Sequence, residues 1–466
     1  MQELPKVCVI GAGSSGIAVA KALWDRAIPF DCYEKSDRVG GNWVFKNKNG
    51  MSSAYRSLHI NTSRTKMQYA DFPMPEGYPD FPHHELIARY FDAYVDHFGF
   101  RHKITFETGV QKITRDPAGG YQVLLDDGRA RHYDAIAVAN GHHWLPSWPD
   151  PPFPGEFLGI QLHSHYYIDP GEPHDLTDKR VVVLGMGNSA MDIACELCRP
   201  GVAQRVFLAA RRGAWVIPKY ILGKPLDSAV PLPRKLPPRV RGLIARSIYR
   251  LAVGRMENYG LPKPDHELGQ AHPTISSDLL VRVGSGDITI KPNLSELRGR
   301  EVVFSDGSVE RVDAVIYATG YKVSFPFFDE DFIGAPDNDL PLFRRVFKPG
   351  LPDVFFFGLL QPLGAIMPIA EAQGKWVAEY LTGRYVLPDA AAMQADMEAE
   401  RRAMFERYVP SRRHTMQVDF DDYMAGVAEE LGRGKKRAQK LGQRLPIAVR
   451  PRPHGASGDD RAELAG

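Results

Sequence analysis

The strongest constraint in this 466-residue chain is a local pattern that occurs twice: a short apolar strand runs straight into a glycine turn and then a helix. Lys6–Ile10 is rich in β-branched residues, Gly11-Ala-Gly-Ser-Ser-Gly16 follows at once, and Ile17–Trp24 has helical composition. Phe30–Glu34 then reads as a second strand that closes on an acid. Farther on, Arg180–Leu184, Gly185-Met-Gly-Asn-Ser-Ala190, a helix to about Leu197 and a strand at Val206–Ala210 repeat the unit. Two such units predict an α/β protein with two Rossmann-like dinucleotide-binding domains.

Each glycine has a physical task. Gly11 allows the tight turn, Gly13 lets the backbone approach a pyrophosphate, and Gly16 lets helix and strand pack closely. The helix start, with Ser14 and Ser15, then offers free amides to an anion. Glu34, about 20 residues on and followed by Lys35, is placed to accept hydrogen bonds from ribose hydroxyls. In the second turn Gly185, Gly187 and Ala190 play the same parts, with Asn188 and Ser189 opening the helix. No acid follows Ala210; Arg211 and Arg212 stand there instead. An acid would repel a 2′-phosphate, whereas a guanidinium binds it with two hydrogen bonds, so the second nucleotide reads as NADPH. A chain with both folds reads as a flavoenzyme in which NADPH reduces FAD. A flavin amine oxidase needs only the first fold.

Composition removes other classes. Hydrophobic residues at 44% and charged residues at 24% exclude wholesale disorder. Lys plus Arg number 58 against 56 Asp plus Glu, and a net charge of +2 gives no electrostatic case for nucleic acid. The four cysteines are too few for a disulfide scaffold. An apolar strand begins within ten residues of Met1, leaving no room for a signal peptide, and no run of roughly 18 apolar residues offers an ordinary membrane span. The expectation is a cytoplasmic soluble enzyme that acts on a small molecule; a homodimer is left open. Cys195 and Cys198 form a CxxC inside the helix of the second unit, without further metal ligands nearby, and read as core thiols. His163 reads as structural. Helices are expected at His84–Phe98 and about Ile369–Leu381, and a mobile basic tail beyond Glu430.

Phe157-Leu-Gly159-Ile-Gln-Leu-His163-Ser-His-Tyr-Tyr167 matches FxGxxxHxxxY, and on this motif the chain resembles the flavin-containing monooxygenases, a class B flavoprotein family. Gly40-Gly41-Asn42-Trp43 is similar to their GGxW flavin loop. Asn140–His143 and Ala318–Tyr321, with Gly320, resemble their two interdomain linkers. Gly185–Asp192 and Arg211–Trp215 resemble their NADPH segment. Asn61, followed by Thr62, matches their active-site asparagine.

The resemblance implies an FAD domain from residues 1–160 and 322–430, an NADPH domain of 161–321 inserted into it, and a tail of 431–466. It implies N- or S-oxygenation of the N,N-dimethylaniline monooxygenase type. There, reduced flavin captures O₂ as a C4a-hydroperoxide, bound NADP⁺ shields it, and a soft heteroatom attacks the distal oxygen. No protein nucleophile or metal is required. Two features depart from the family: Ile168 stands where Lys or Arg often follows the motif tyrosine, and the apolar C-terminal anchor of the animal enzymes is missing. The rival readings are a Baeyer–Villiger monooxygenase, a disulfide reductase of the thioredoxin-reductase type and a non-oxygenating NADPH oxidase. The type I Baeyer–Villiger fingerprint usually ends in Trp rather than Tyr167, and the misplaced CxxC speaks against the reductase.

Overall fold

The computed structural model describes residues 3–229, 238–271, 273–407 and 415–446. From the N-terminus, β1 (Val7–Ile10) passes through the first glycine turn into α1 (Ser14–Asp25) and back to β2 (Phe30–Tyr33). Next come α2 (His84–Phe98), β3 (Ile104–Thr105) and β4 (Ala135–Val138). The chain then builds a second sheet with β5 (Ile160–His163), β6 (Arg180–Leu184), α3 (Asn188–Leu197), β7 (Arg205–Ala210), β8 (Ile288–Pro292) and β9 (Ala314–Tyr317). It returns to the first with β10 (Phe347–Lys348) and β11 (Leu351–Phe356), followed by α4 (Met367–Leu381), α5 (Ala390–Arg407) and α6 (Phe420–Lys440).

The first sheet has the order β10-β11-β4-β1-β2-β3 and the second β5-β9-β6-β7-β8. Only β10 runs antiparallel to its neighbour; every other pairing in the two sheets is parallel. All four residues of β1 and of β4 are buried, which is why they are continuous apolar runs rather than alternating ones. On one face of the first sheet α1 packs against α4. Gly374 makes this possible, since a methyl there would lie 3.2 Å from both the Ala18 carbonyl oxygen and Val19 Cα.

The fold class is the expected one, and α2 spans the residues its apolar spacing predicts. The expected tail beyond Glu430 is corrected. The chain stays helical to Lys440, because Glu430, Gly434 and Ala438, each four residues apart, form one buried face. Tyr385 donates a hydrogen bond to Glu430 Oε1 at 2.9 Å, Arg437 pairs with the same carboxylate, and the Arg437 Nε donates to the Val386 carbonyl at 2.9 Å. The basic residues that suggested a solvated tail are the outer face of a packed helix. Residues 447–466 of that expected tail lie outside the described residues. Among the described residues no helix is long and apolar enough to cross a membrane.

A methyl on Gly434 would stand 1.9 Å from the Tyr385 ring. Gly434→Ala should therefore lower the unfolding free energy by about 1–3 kcal/mol in urea titrations. The exposed Lys436→Ala should stay within about 0.5 kcal/mol of the parent. Equal stability of all three proteins would mean that this helix end is not packed.

Candidate active site

Three glycine segments converge on the start of α1. Gly11 has φ +95°, and a methyl on it would lie 2.8 Å from the Ala139 carbonyl oxygen; one on Gly16 would lie 1.8 Å from the Gly11 carbonyl oxygen. A methyl on Gly41 (φ +55°) would stand 3.0 Å from Gly13 Cα, and one on Gly358 (φ +66°) would stand 2.1 Å from Ser15 Oγ. No side chain caps α1, although His83 caps α2 and Asp419 caps α6. The amides of the first turn are thus left for an anion in a cradle that side chains would fill, which fits a dinucleotide pyrophosphate.

Glu34 is buried beside this turn; its Oε2 accepts from Ala12 N and its Oε1 from Ser36 N, both at 2.7 Å. Burial pushes its carboxyl above the usual range, against those two bonds. Each oxygen keeps a lone pair for a hydroxyl donor. Lys35 is exposed, its stem lying over Gly109. Asn42 Oδ1 accepts from Ser53 N at 2.8 Å and Ser53 Oγ at 3.0 Å, so it shapes the loop, and Trp43 packs onto the first core. Gly358 escaped sequence reasoning. Its only signal is a glycine just after an apolar strand.

Asn61 sits on a pinned loop. His84 N donates to the Leu58 carbonyl at 3.0 Å and Ile60 N to the Pro82 carbonyl at 3.1 Å. Asn61 Oδ1 is buried without a hydrogen-bond partner among the described residues, so its acceptor is free for a donor. Thr62 beside it is half-buried.

The second turn repeats the first. Gly185 has φ +138°, a methyl on it would lie 2.5 Å from the Ala318 carbonyl oxygen, and no side chain caps α3 at Gly187. Ala190 is buried, small enough for the close packing, with Ser189 half-buried before it. Asn188 Oδ1 accepts from Ile275 N at 2.8 Å, so this side chain is engaged in holding the neighbouring strand. Arg211 and Arg212 are both exposed, but they differ. Arg212 Nε lies 3.2 Å from Asp265, whereas Arg211 has no ion pair among the described residues. Cys195 is buried and its thiol is pushed up to about 12 by that burial, the opposite of what a redox dithiol needs.

The FxGxxxHxxxY segment joins the two units. Tyr167 is fully buried and donates to Glu196 Oε2 of α3 at 2.9 Å. One turn earlier on α3, Asp192 accepts from Tyr55. His163 is buried with its Nδ1 accepting from His165 N at 3.1 Å, which is a structural arrangement. The two linkers pair with each other: Tyr321–Lys322 run antiparallel to Leu145–Pro146, Ser147 N donates to the Gly320 carbonyl at 2.9 Å, and Asn140 Nδ2 to the Ser324 carbonyl at 3.0 Å.

Two uncapped glycine-turn helices on parallel sheets, joined by paired linkers, define a two-nucleotide oxidoreductase. The flavin-binding monooxygenase-like family model matches residues 4–439, and the chain belongs to this family. It is 36% identical to flavin-containing monooxygenase 5 of Rattus norvegicus, over 92% of this chain and 83% of that protein. It is 33% identical to dimethylaniline monooxygenase [N-oxide-forming] 2 of Macaca mulatta, over 96% and 86%. Among solved structures it is similar to S-allyl-L-cysteine S-oxygenase from Allium sativum, with TM-score 0.69, 26% identity and coverage of 97% and 96%. Cyclohexanone monooxygenase shares the fold with TM-score 0.69 at 17% identity, covering 93% and 98%.

Burial holds the His163 imidazole down to about 4. A histidine depressed in the native state contributes stability that is complete above its unfolded value near 6.5 and is lost as pH falls from there toward 4. The unfolding free energy should decline across this window, and His163→Asn should flatten the decline. A slope unchanged by the substitution in urea titrations at pH 7, 6, 5 and 4 would show that the ring titrates in the fold as it does in the unfolded chain.

Proposed function

We propose that this chain is an FAD-containing, NADPH- and O₂-dependent monooxygenase that oxygenates a soft nitrogen or sulfur of a small organic substrate. The observation that carries this reading is the unpartnered, buried Asn61 oxygen on a loop pinned between the two glycine-turn units. Bound FAD, once reduced by NADPH, supplies the activation of O₂. The chain's own part is to bind, to orient and to exclude water.

The first turn, from Gly11 and Gly13 to Ser14, Ser15 and Gly16, holds the FAD pyrophosphate together with Gly41. Glu34 takes the ribose hydroxyls. The second turn, Gly185 to Ala190, holds the NADPH pyrophosphate, and Arg211 its 2′-phosphate. Asn61, with Thr62 beside it, is placed at the reacting centre, where its amide would hydrogen-bond the oxygen that reduced FAD activates and delay its loss as H₂O₂. The FAD unit is formed by residues 1–160 and the stretch from 322 through α6, with residues 161–321 as the NADPH unit. The proposed setting is the cytoplasm, as a homodimer or a single chain.

A Baeyer–Villiger reaction on a ketone is the second reading, favoured by the shared fold of cyclohexanone monooxygenase. Tyr167 weighs against it. Its hydroxyl donates to Glu196 in a buried pair, at the place where the type I Baeyer–Villiger fingerprint usually carries tryptophan. Rapid mixing of the NADPH-reduced protein with O₂, followed by product analysis with an amine, a sulfide and a ketone, separates the readings. A slowly decaying flavin absorbance with amine or sulfide oxide as product is expected. Immediate reoxidation with stoichiometric H₂O₂ would sink both monooxygenase readings.

Asn61→Ala should keep FAD and be reduced by NADPH at a broadly similar rate, because neither glycine turn is touched. Its oxygenated product per NADPH should fall by about 100-fold, matching the 2.7–4 kcal/mol that one positioned donor supplies elsewhere, while H₂O₂ rises. Unchanged coupling would remove Asn61 from the reacting centre. Arg211→Ala should raise the KM for NADPH by about 10-fold or more and leave that for NADH alone, the loss of one charge-assisted contact of about 1.5–3 kcal/mol. Equal losses with both nucleotides would dismiss the 2′-phosphate assignment.

A further inference from the structure

The Asn61 loop is gripped on both sides by a segment of the other unit. After β7 and the Arg211–Trp215 stretch, the chain forms a small hairpin, Tyr220–Ile221 against Lys224–Pro225, and then the short helix Leu226–Ala229. This segment lies across the loop of the flavin unit. Lys219 Nζ donates to the Ile60 carbonyl at 3.4 Å, directly before Asn61. Ser63 N, two residues after Asn61, donates to Asp227 Oδ2 at 2.7 Å, and Ser63 is buried. Between these points Tyr220 donates to Asp80 at 3.0 Å and packs edge-on against Phe81, with Lys219 Nζ 5.1 Å above the same ring.

Lys219 is the unusual member. It is half-buried, with no ion pair at contact distance among the described residues; Asp192 and Asp278 act on it only from farther off. A desolvated ammonium is costly, and here it is spent on a backbone carbonyl and an aromatic face. Ser63 makes the same point from the other side, since its buried amide would be orphaned without the Asp227 carboxylate. The two contacts, at the Ile60 carbonyl and the Ser63 amide, bracket Asn61 and Thr62 and so fix the backbone from which the Asn61 side chain projects.

From this geometry we infer that Lys219 and Asp227 are positioning residues: they clamp the Asn61 loop so that the amide is held in its working place only while the two units are engaged. The inference rests on the Asn61 reading for its effect on oxygenation, but not for the clamp itself. The clamp also explains why the residues just after the arginine pair lie on the flavin unit: the segment that begins at the nucleotide's phosphate seat ends on the loop that faces the reacting centre.

The test uses the full-length, FAD-loaded protein in four forms: parent, Lys219→Met, Lys219→Arg and Asp227→Ala. Two things are measured, amide hydrogen exchange of peptides covering residues 57–68, and H₂O₂ released per NADPH consumed. In Lys219→Met and Asp227→Ala, exchange in that segment should rise about tenfold, as expected for the loss of one charge-assisted hydrogen bond. Peroxide release should rise with it, while FAD content and the rate of flavin reduction by NADPH stay within twofold of the parent. Lys219→Arg should restore both readouts, which a mere change of packing would not do.

Exchange at the parent rate in the folded Lys219→Met and Asp227→Ala proteins would overturn the clamp. Faster exchange with unchanged peroxide release would overturn its positioning role; if Asn61→Ala also leaves coupling unchanged, it is the Asn61 reading that has failed. Should Lys219→Met not retain FAD, Asp227→Ala decides alone, by the same criteria.

Discussion

The structure depends on backbone lying directly against backbone where a side chain is missing. At Gly16 the helix start comes so near the Gly11 carbonyl that a methyl would sit 1.8 Å from it, and at Gly185 the second turn comes similarly near Ala318. These contacts set how each helix leaves its strand. They therefore decide where the uncapped amides of α1 and α3 point, which no side chain in either turn does. Both turns also lean on the chain that joins the units: Gly11 on Ala139, which precedes one linker, and Gly185 on Ala318, which begins the other. A shift of either linker would alter the turn it touches.

Holding two such units in one orientation is a separate problem, and two acids of α3, Glu196 buried and Asp192 half-buried, solve it. Asp192 and Glu196 occupy one face of α3, a turn apart, and each takes the hydroxyl of a tyrosine, Tyr55 from the flavin-unit loop and Tyr167 from the fingerprint segment. Burial raises the Asp192 carboxyl above its usual range. Withdrawing two acids from water, wholly or in part, is expensive, and the expense is tolerable only when both are satisfied. Each pair is consequently a strict test of geometry: if the units rotate, a carboxylate is left unpaired. Around them the 46–56 loop is tied to residues 165–172 through Lys46–Glu172 at 2.5 Å, Arg56–Asp169 at 2.7 Å, Arg56 N to the Ile168 carbonyl at 2.8 Å and His165 Nε2 to the Gly50 carbonyl at 3.0 Å.

What was legible in the sequence was what a short stretch of chain decides for itself. Glycines between a β-branched run and a helix announce both turns, and Glu34 lies beside the first as its position implies. The apolar spacing of His84–Phe98 delivers α2 whole. What was not legible depends on partners distant in sequence. Gly358 meets Ser15 over more than 340 intervening positions, so no spacing rule could pair them. The helix α5 carries no stripe of apolar residues to announce it, although its run of Ala, Met, Glu and Arg favours a helix. The helix end at 431–440 is hidden because its Gly and Lys look like a tail by composition, and only the packing against Tyr385 and Val386 sorts them into faces. The linker motifs show their residues in the sequence but not their mutual pairing.

The three parts of the site converge on one helix. α3 begins at the uncapped second glycine turn, and four residues in it carries Asp192. That carboxylate accepts from Tyr55, which lies six residues before Asn61, and it attracts Lys219, which reaches the carbonyl just before Asn61. A displacement of α3 at its nucleotide end would thus be felt on the Asn61 loop through two independent contacts, one a hydrogen bond and one an ionic attraction over a longer distance. The converse also holds, because linkage is reciprocal: whatever settles the Asn61 loop also settles the start of α3. For chemistry in which an activated oxygen must outlast its competitors, such coupling makes physical sense. On the proposed placement of Asn61, its loop would be best ordered with a nucleotide seated at the start of α3.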